Sequence, residues 1–127
     1  MVKLIFLFKR KPGLSLQQFR DYYEHQHMPF VVGLLPYFKS YRRNYIRHDQ
    51  DYRPSGIGLK TEFDVVTELT FARAGDFERM LQALADPTIL SRIVSDEENF
   101  MDRSPDGRMM FFVDEQESGA AMLTRTL

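Results

Sequence analysis

Apolar positions recur along the chain with two periods, and the switches between them mark the elements. Val2 to Lys9 is almost continuously apolar and rich in β-branched and aromatic residues, the pattern of a strand covered on both faces. Lys11-Pro12-Gly13 is turn chemistry. Ser15 then suits an N-cap, Gln18 completes a capping box, and Leu14 and Phe19 stand where a hydrophobic staple needs them, so a helix starts near Leu16. Its apolar side runs Leu16, Phe19, Tyr23, and the same spacing reaches His27, an ionisable ring at the end of a buried stripe. Pro29 is expected to stop this helix.

Gly33 and Pro36 punctuate a short connection. Tyr37 to His48 alternates, with Tyr37, Tyr41 and Tyr45 on one face, as expected of a long strand with polar character. Asp49 to Glu62 has no period and reads as a ligand-covering or mobile loop. Phe63 to Phe71 alternates again, with Phe63, Val65, Leu69 and Phe71 toward the helices and Asp64, Val66, Glu68 and Thr70 away from them. Asp76 is expected to cap a second helix carrying Phe77, Met80, Leu81 and Leu84. Asp86-Pro87 ends it and starts a third, with Ile89, Leu90, Ile93 and Val94 behind, closed by the acidic segment Ser95 to Asp102. A turn at Pro105, Asp106 and Gly107 leads into a last strand, Arg108 to Asp114.

Strand, helix, strand, strand, helix, strand is the split βαβ order of a ferredoxin-like α+β fold, with an antiparallel four-stranded sheet and helices on one face. The other face still carries Ile5, Leu7, Val66, Met110 and Phe112, depending on the phase of each strand, and a second copy packed sheet against sheet is its simplest cover. A homodimer is therefore expected. Residues 1–115 form one domain, and 116–127 form a tail for the dimer partner to order.

Composition narrows the function classes. The 127 residues are 43% hydrophobic, enough for one core without disulfides. With 17 basic against 18 acidic residues, no global field favours nucleic acid or anionic lipid. The absence of cysteine excludes disulfides, thiol nucleophiles and thiolate metal sites and makes a cytoplasmic location the default. The run Leu4 to Phe8 is too short to span a bilayer, so no membrane role is expected. The 11 Phe and 6 Tyr suit an apolar or aromatic small-molecule ligand and ordinary core packing equally well.

The segments KRKPGLSLQQFRDYYEHQHMP, FDVVTELTF and SDEENFMD, followed by the final strand, together resemble the EthD-like family of the dimeric α+β barrel superfamily. The family-like positions are His27 to Pro29, Asp64 with Glu68, and Asp96, Glu97, Phe100 and Asp102. Val65 stands where the family often has Gly. The resemblance implies a ferredoxin-like homodimer whose sheets form a barrel. It also implies cofactor-independent lyases, cyclases or isomerases acting on polyketides and lactones, or accessory proteins of ether degradation.

His27 is the leading catalytic candidate, because a near-neutral histidine can take a proton from carbon beside a carbonyl and return it. The alternative is a core histidine bonded to a backbone carbonyl. Tyr23, one turn earlier, is placed to orient or stabilise an enolate oxygen, or to serve as a core aromatic. Asp64 and Glu68 lie roughly 13 Å apart along one strand, too far for a shared-proton dyad, though either is a candidate to assist a histidine. Their bland reading is pairing with Arg42 or Arg43. His25 and His27 subtend roughly 200° on a helix, so no metal site is expected of them. The cluster Asp96, Glu97, Glu98, Asp102 reads as a structural anchor for Arg103 and Arg108. Taken with what the resemblance implies, these residues point to a small cofactor-independent isomerase, cyclase or dehydratase acting on an apolar carbonyl, lactone or polyketide-like compound. The alternatives are a non-catalytic binding or accessory protein and, third, a haem-binding or monooxygenase-like protein.

Overall fold

A computed structural model describes residues 1–50 and 52–119. The elements are β1 (Val2–Phe8), α1 (Leu16–Tyr22), a π-helical turn (Tyr23–His27), α2 (Met28–Leu34), β2 (Ser40–Tyr45), β3 (Val65–Phe71), α3 (Ala74–Leu84), α4 (Pro87–Glu97) and β4 (Arg108–Val113). The strands form one antiparallel sheet in the order β2-β3-β1-β4. This is the ferredoxin-like α+β arrangement expected from the element order.

The start of α1 follows its local chemistry. Ser15 Oγ accepts from the Gln18 backbone N–H at 3.1 Å while Gln18 Oε1 accepts from the Ser15 N–H at 2.9 Å. The expected stop at Pro29 is corrected. The chain stays helical to Leu34, passing through the π turn, where the Met28 N–H reaches back to the Tyr23 carbonyl. Widening the turn relieves the clash a proline ring makes with the preceding turn, and the N–H that Pro29 lacks falls at the start of α2. Two other boundaries also move. The alternating stretch from Tyr37 to His48 is a strand only from Ser40 to Tyr45, and the second helix starts at Ala74 with Arg73 at the N-cap, leaving Asp76 within the first turn. There the Asp76 carboxylate pairs with Arg79 at 3.2 Å. Asp86 does cap α4, accepting from the Thr88 N–H at 2.9 Å, with Pro87 at the first helical position.

Register fixes the two faces. Leu4, Phe6 and Phe8 stand beside Leu69, Thr67 and Val65 on one side and Phe112, Met110 and Arg108 on the other, so all of these share the helix-covered face. Met110 and Phe112 are thereby corrected: Met109 and Phe111, with Ile5, Leu7 and Val66, occupy the face without helices. Two buried clusters lie under the helices. One joins Leu4, Val31, Leu35, Leu69, Phe71, Met80 and Ile93; the other joins Phe6, Phe8, Phe19, Tyr23, Val65, Phe100 and Met101. The expected tail overlaps residues 120–127, which lie outside the described residues.

Candidate functional site

Where these two clusters meet, a cavity of about 120 Å³ remains between sheet and helices. Its wall is largely apolar, including Leu4, Phe6, Val31, Leu69, Met80 and Ile93, with His27, Tyr41, Thr67 and Glu97 as its ionisable or hydroxyl-bearing members. Such a lining, mostly apolar with a few convergent polar groups, is the usual form of a small-molecule site.

His27 is brought there by the stripe that begins at Phe19, and it is only 4% exposed. Its Nδ1 lies 2.6 Å from Asp96 Oδ2. A carboxylate accepts only, so Nδ1 carries the proton and Nε2 is the ring nitrogen left to the cavity. Phe100 packs on the ring with centroids 4.7 Å apart, and Tyr23 meets it at 5.7 Å. Burial pushes the His27 pKa below its ordinary value, against the opposing pull of Asp96, so the ring is neutral at pH 7 and Nε2 is a base.

Asp96 is held in turn. Tyr22 donates its hydroxyl to Asp96 Oδ1 at 2.7 Å and receives a hydrogen bond from Asn99 Nδ2 at 2.9 Å. Such second-layer bonds fix the tautomer and direction of a histidine base. Across the cavity, the Tyr23 hydroxyl meets Tyr41 at 2.7 Å and Thr67 at 2.9 Å. Tyr23 does not line the cavity; Tyr41 and Thr67 do, so Tyr23 sets them from behind. Burial drives the phenols of Tyr23 and Tyr41 well above the ordinary range, which keeps both as neutral hydrogen-bonding groups. Glu97, next to Asp96 on the last turn of α4, is also buried. Desolvation raises its carboxyl pKa against the cations of Arg108, 3.8 Å away, and Arg103, 3.1 Å away.

The four residues singled out from the sequence do not form one group. His27 and Tyr23 adjoin, but Asp64 and Glu68 lie elsewhere. Asp64 sits at the end of the sheet, accepting from the Arg10 backbone N–H at 2.7 Å and from His48 Nε2 at 3.0 Å. Glu68 is on the face without helices, 2.6 Å from Lys3 Nζ and within 2.9 Å of Asn44 Nδ2; these contacts hold its pKa below the ordinary carboxylate value. Of the expected partners Arg42 and Arg43, Arg42 stands opposite Glu68 across the strand pair and its charge helps lower the Glu68 pKa, whereas Arg43 forks onto Glu24 at 2.7 and 3.0 Å. Glu97 anchors Arg103 and Arg108 as expected, while the role of Asp96 beside His27 was missed. Its signal was present, because the Ile89, Ile93 stripe of α4 carried forward lands on Asp96 and Glu97. Among the described residues no group of three His, Cys, Asp or Glu side chains is placed to hold a metal ion, and no helix is long and apolar enough to cross a membrane.

The chain is 30% identical over 102 residues, covering 75% of it and 70% of the relative, to a protein of Metarhizium robertsii named conidial pigment biosynthesis dehydratase EthD. Among solved structures, an EthD family protein of Bacillus halodurans superposes with a TM-score of 0.57 at 19% identity, covering 91% of this chain and 99% of that one. The hydroxynitrile lyase of Passiflora edulis superposes with a TM-score of 0.56 at 17% identity, covering 92% and 96% of the two chains. The model of the EthD domain matches residues 11–104, a span that takes in both halves of the His27 and Asp96 pair, and the chain belongs to the EthD domain family.

Proposed function

We propose that this protein is a cofactor-independent enzyme of the dehydratase type, acting on a small β-hydroxy carbonyl compound bound between sheet and helices. The observation that carries the reading is the buried His27 and Asp96 pair at the cavity wall, 2.6 Å apart. In the proposed reaction, His27 Nε2 takes the proton from the carbon beside the carbonyl, giving an enolate. The enolate electrons re-form the carbonyl as the carbon–carbon double bond closes and the β carbon–oxygen bond breaks. The departing oxygen takes the proton back from the imidazolium and leaves as water. Tyr23 donates to one of the Tyr41 and Thr67 hydroxyls and accepts from the other, so the one that accepts keeps its own proton as the donor for the enolate oxygen. Asp96 steadies the imidazolium without being protonated itself. The dehydratase name of the 30% identical relative supports elimination over isomerisation or cyclisation.

The same reading includes a homodimer. Its support is the uncovered sheet face, where Met109 and Phe111 are 50% and 39% exposed.

The test is a panel of β-hydroxy ketones and hydroxylated polyketide mimics, followed by water loss and by exchange of the α hydrogen in deuterium oxide. The wild-type chain is expected to catalyse both, and a folded His27→Ala variant neither. Saturable binding without exchange or water loss across the panel would replace this reading with a binding or accessory role.

A further inference from the structure

A second histidine and aspartate meet far from that cavity, at the end of the sheet where β1 and β2 finish and β3 begins. Asp64 is 6% exposed, and its backbone is fixed by its N–H to the Phe8 carbonyl and by its own carbonyl to the Ile46 N–H, both at 3.0 Å. Its carboxylate is fully engaged, Oδ2 with the Arg10 N–H and Oδ1 with His48 Nε2, with the Arg10 guanidinium 3.8 Å away. Asp64 is thus a fixed support. His48, more exposed than Asp64, donates Nε2–H to it and keeps Nδ1 without a partner among the described residues.

One groove bordering His48, of about 420 Å³, is lined also by Lys9, Arg10, Glu62 and Asp64; two others, of about 450 and 280 Å³, are lined also by Arg47. The larger has an apolar floor of Leu16, Phe19, Tyr45 and Ile46, with Arg20 and Arg47 at its rim and Asp49 in the same wall. Arg20 is stacked on the Tyr45 ring at 4.8 Å, which holds its guanidinium beside that floor. Arg47 and His48 also line the smaller groove, which carries no carboxylate among its described lining residues. Arg47 has no ion pair among the described residues.

We propose that this is a binding site for an organic carboxylate with a flat apolar body. The body lies on Leu16, Tyr45 and Ile46, and the carboxylate is received by the Arg47 guanidinium, with the His48 ring beside it in the same groove. A monoanion is the better match than a phosphate dianion, because Asp49 and Asp64 stand in the same wall and repel a second negative charge. Two histidine–aspartate pairs then divide the labour: the buried one borders the cavity between sheet and helices, and the more exposed one holds an acid at the end of the sheet.

The experiment is an NMR titration of the isotope-labelled full chain with 2-naphthoate, following the imidazole signals of His27 and His48. It reads binding and is independent of any catalysis. The His48 signals are expected to shift to saturation while those of His27 stay still, and Arg47→Ala is expected to weaken binding roughly tenfold, the loss of one charge-assisted hydrogen bond. Arg47 is exposed, so the variant keeps its fold, checked by circular dichroism. Uncharged 2-naphthamide should bind at least about tenfold more weakly. Shifts at His27 instead of His48, equal binding of the amide, inorganic phosphate binding as tightly as naphthoate, or no saturation would each overturn the proposal.

Discussion

At His27 the fold sets two opposing influences on one ring. Burial favours the neutral form and Asp96 the charged one, and burial prevails. The neutral base is lost only as pH falls below the ordinary histidine value of 6.5, so kcat/KM should be level through neutrality with its acid limb below that point. Stability shares the direction. Between the folded and unfolded pKa values the unfolded chain binds more protons, so stability is full above 6.5 and is lost as pH falls, a slope that His27→Gln should flatten in urea unfolding. Asp96→Asn removes the acceptor that fixes the tautomer, and kcat should drop about 10- to 100-fold with KM little changed. Tyr22→Phe, which frees one Asp96 oxygen but leaves its charge and its bond to His27, should cost less than Asp96→Asn.

At the scale of elements, the site depends on where three segments end. The π turn keeps the helix running past Pro29, so that one continuous segment supplies Tyr23 and His27 to the site and Val31 to the core beyond. The cap at Asp86 starts α4, and the tenth and eleventh residues of that helix are Asp96 and Glu97. Asp86→Ala should therefore cost about 1 kcal/mol in denaturant unfolding while leaving kcat close to wild type. Gly107 has a different constraint. A Cβ there would stand 2.4 Å from the Asp102 carbonyl oxygen, while Lys9 N–H bonds the Gly107 carbonyl at 2.8 Å. Gly107→Ala should lower stability by about 1–3 kcal/mol, because backbone rather than a flexible side chain must give way.

At the scale of the molecule, both faces of the sheet carry apolar side chains and the helices cover only one of them. Helices cover Leu4, Phe6, Phe8 and the β3 residues Val65, Leu69 and Phe71, and no element of the described chain covers Met109 and Phe111. Light scattering at micromolar concentration should give twice the chain mass. Phe111→Glu, which sets a charge in the middle of that face, should give the monomer with an unchanged circular dichroism spectrum. A wild-type monomer would overturn the homodimer.

Much of this was legible in the chain itself. The capping box at Ser15, the Asp86-Pro87 start and the alternation of Val65, Leu69 and Phe71 each act over a few residues, and local sterics and hydrogen bonding suffice to determine them. The element order then restricts the topology, and the helical stripe brings His27 inward. What only the tertiary structure decided is the company each ionisable group keeps. His27 and Asp96 are 69 positions apart, and Asp64 and His48 are joined across a loop without period. Asp64 and Glu68, neighbours on paper, go to different places because one falls at the end of the sheet and the other on its far face. Local pattern fixes the face of an element a side chain takes; the partner it meets there depends on packing between elements distant in sequence.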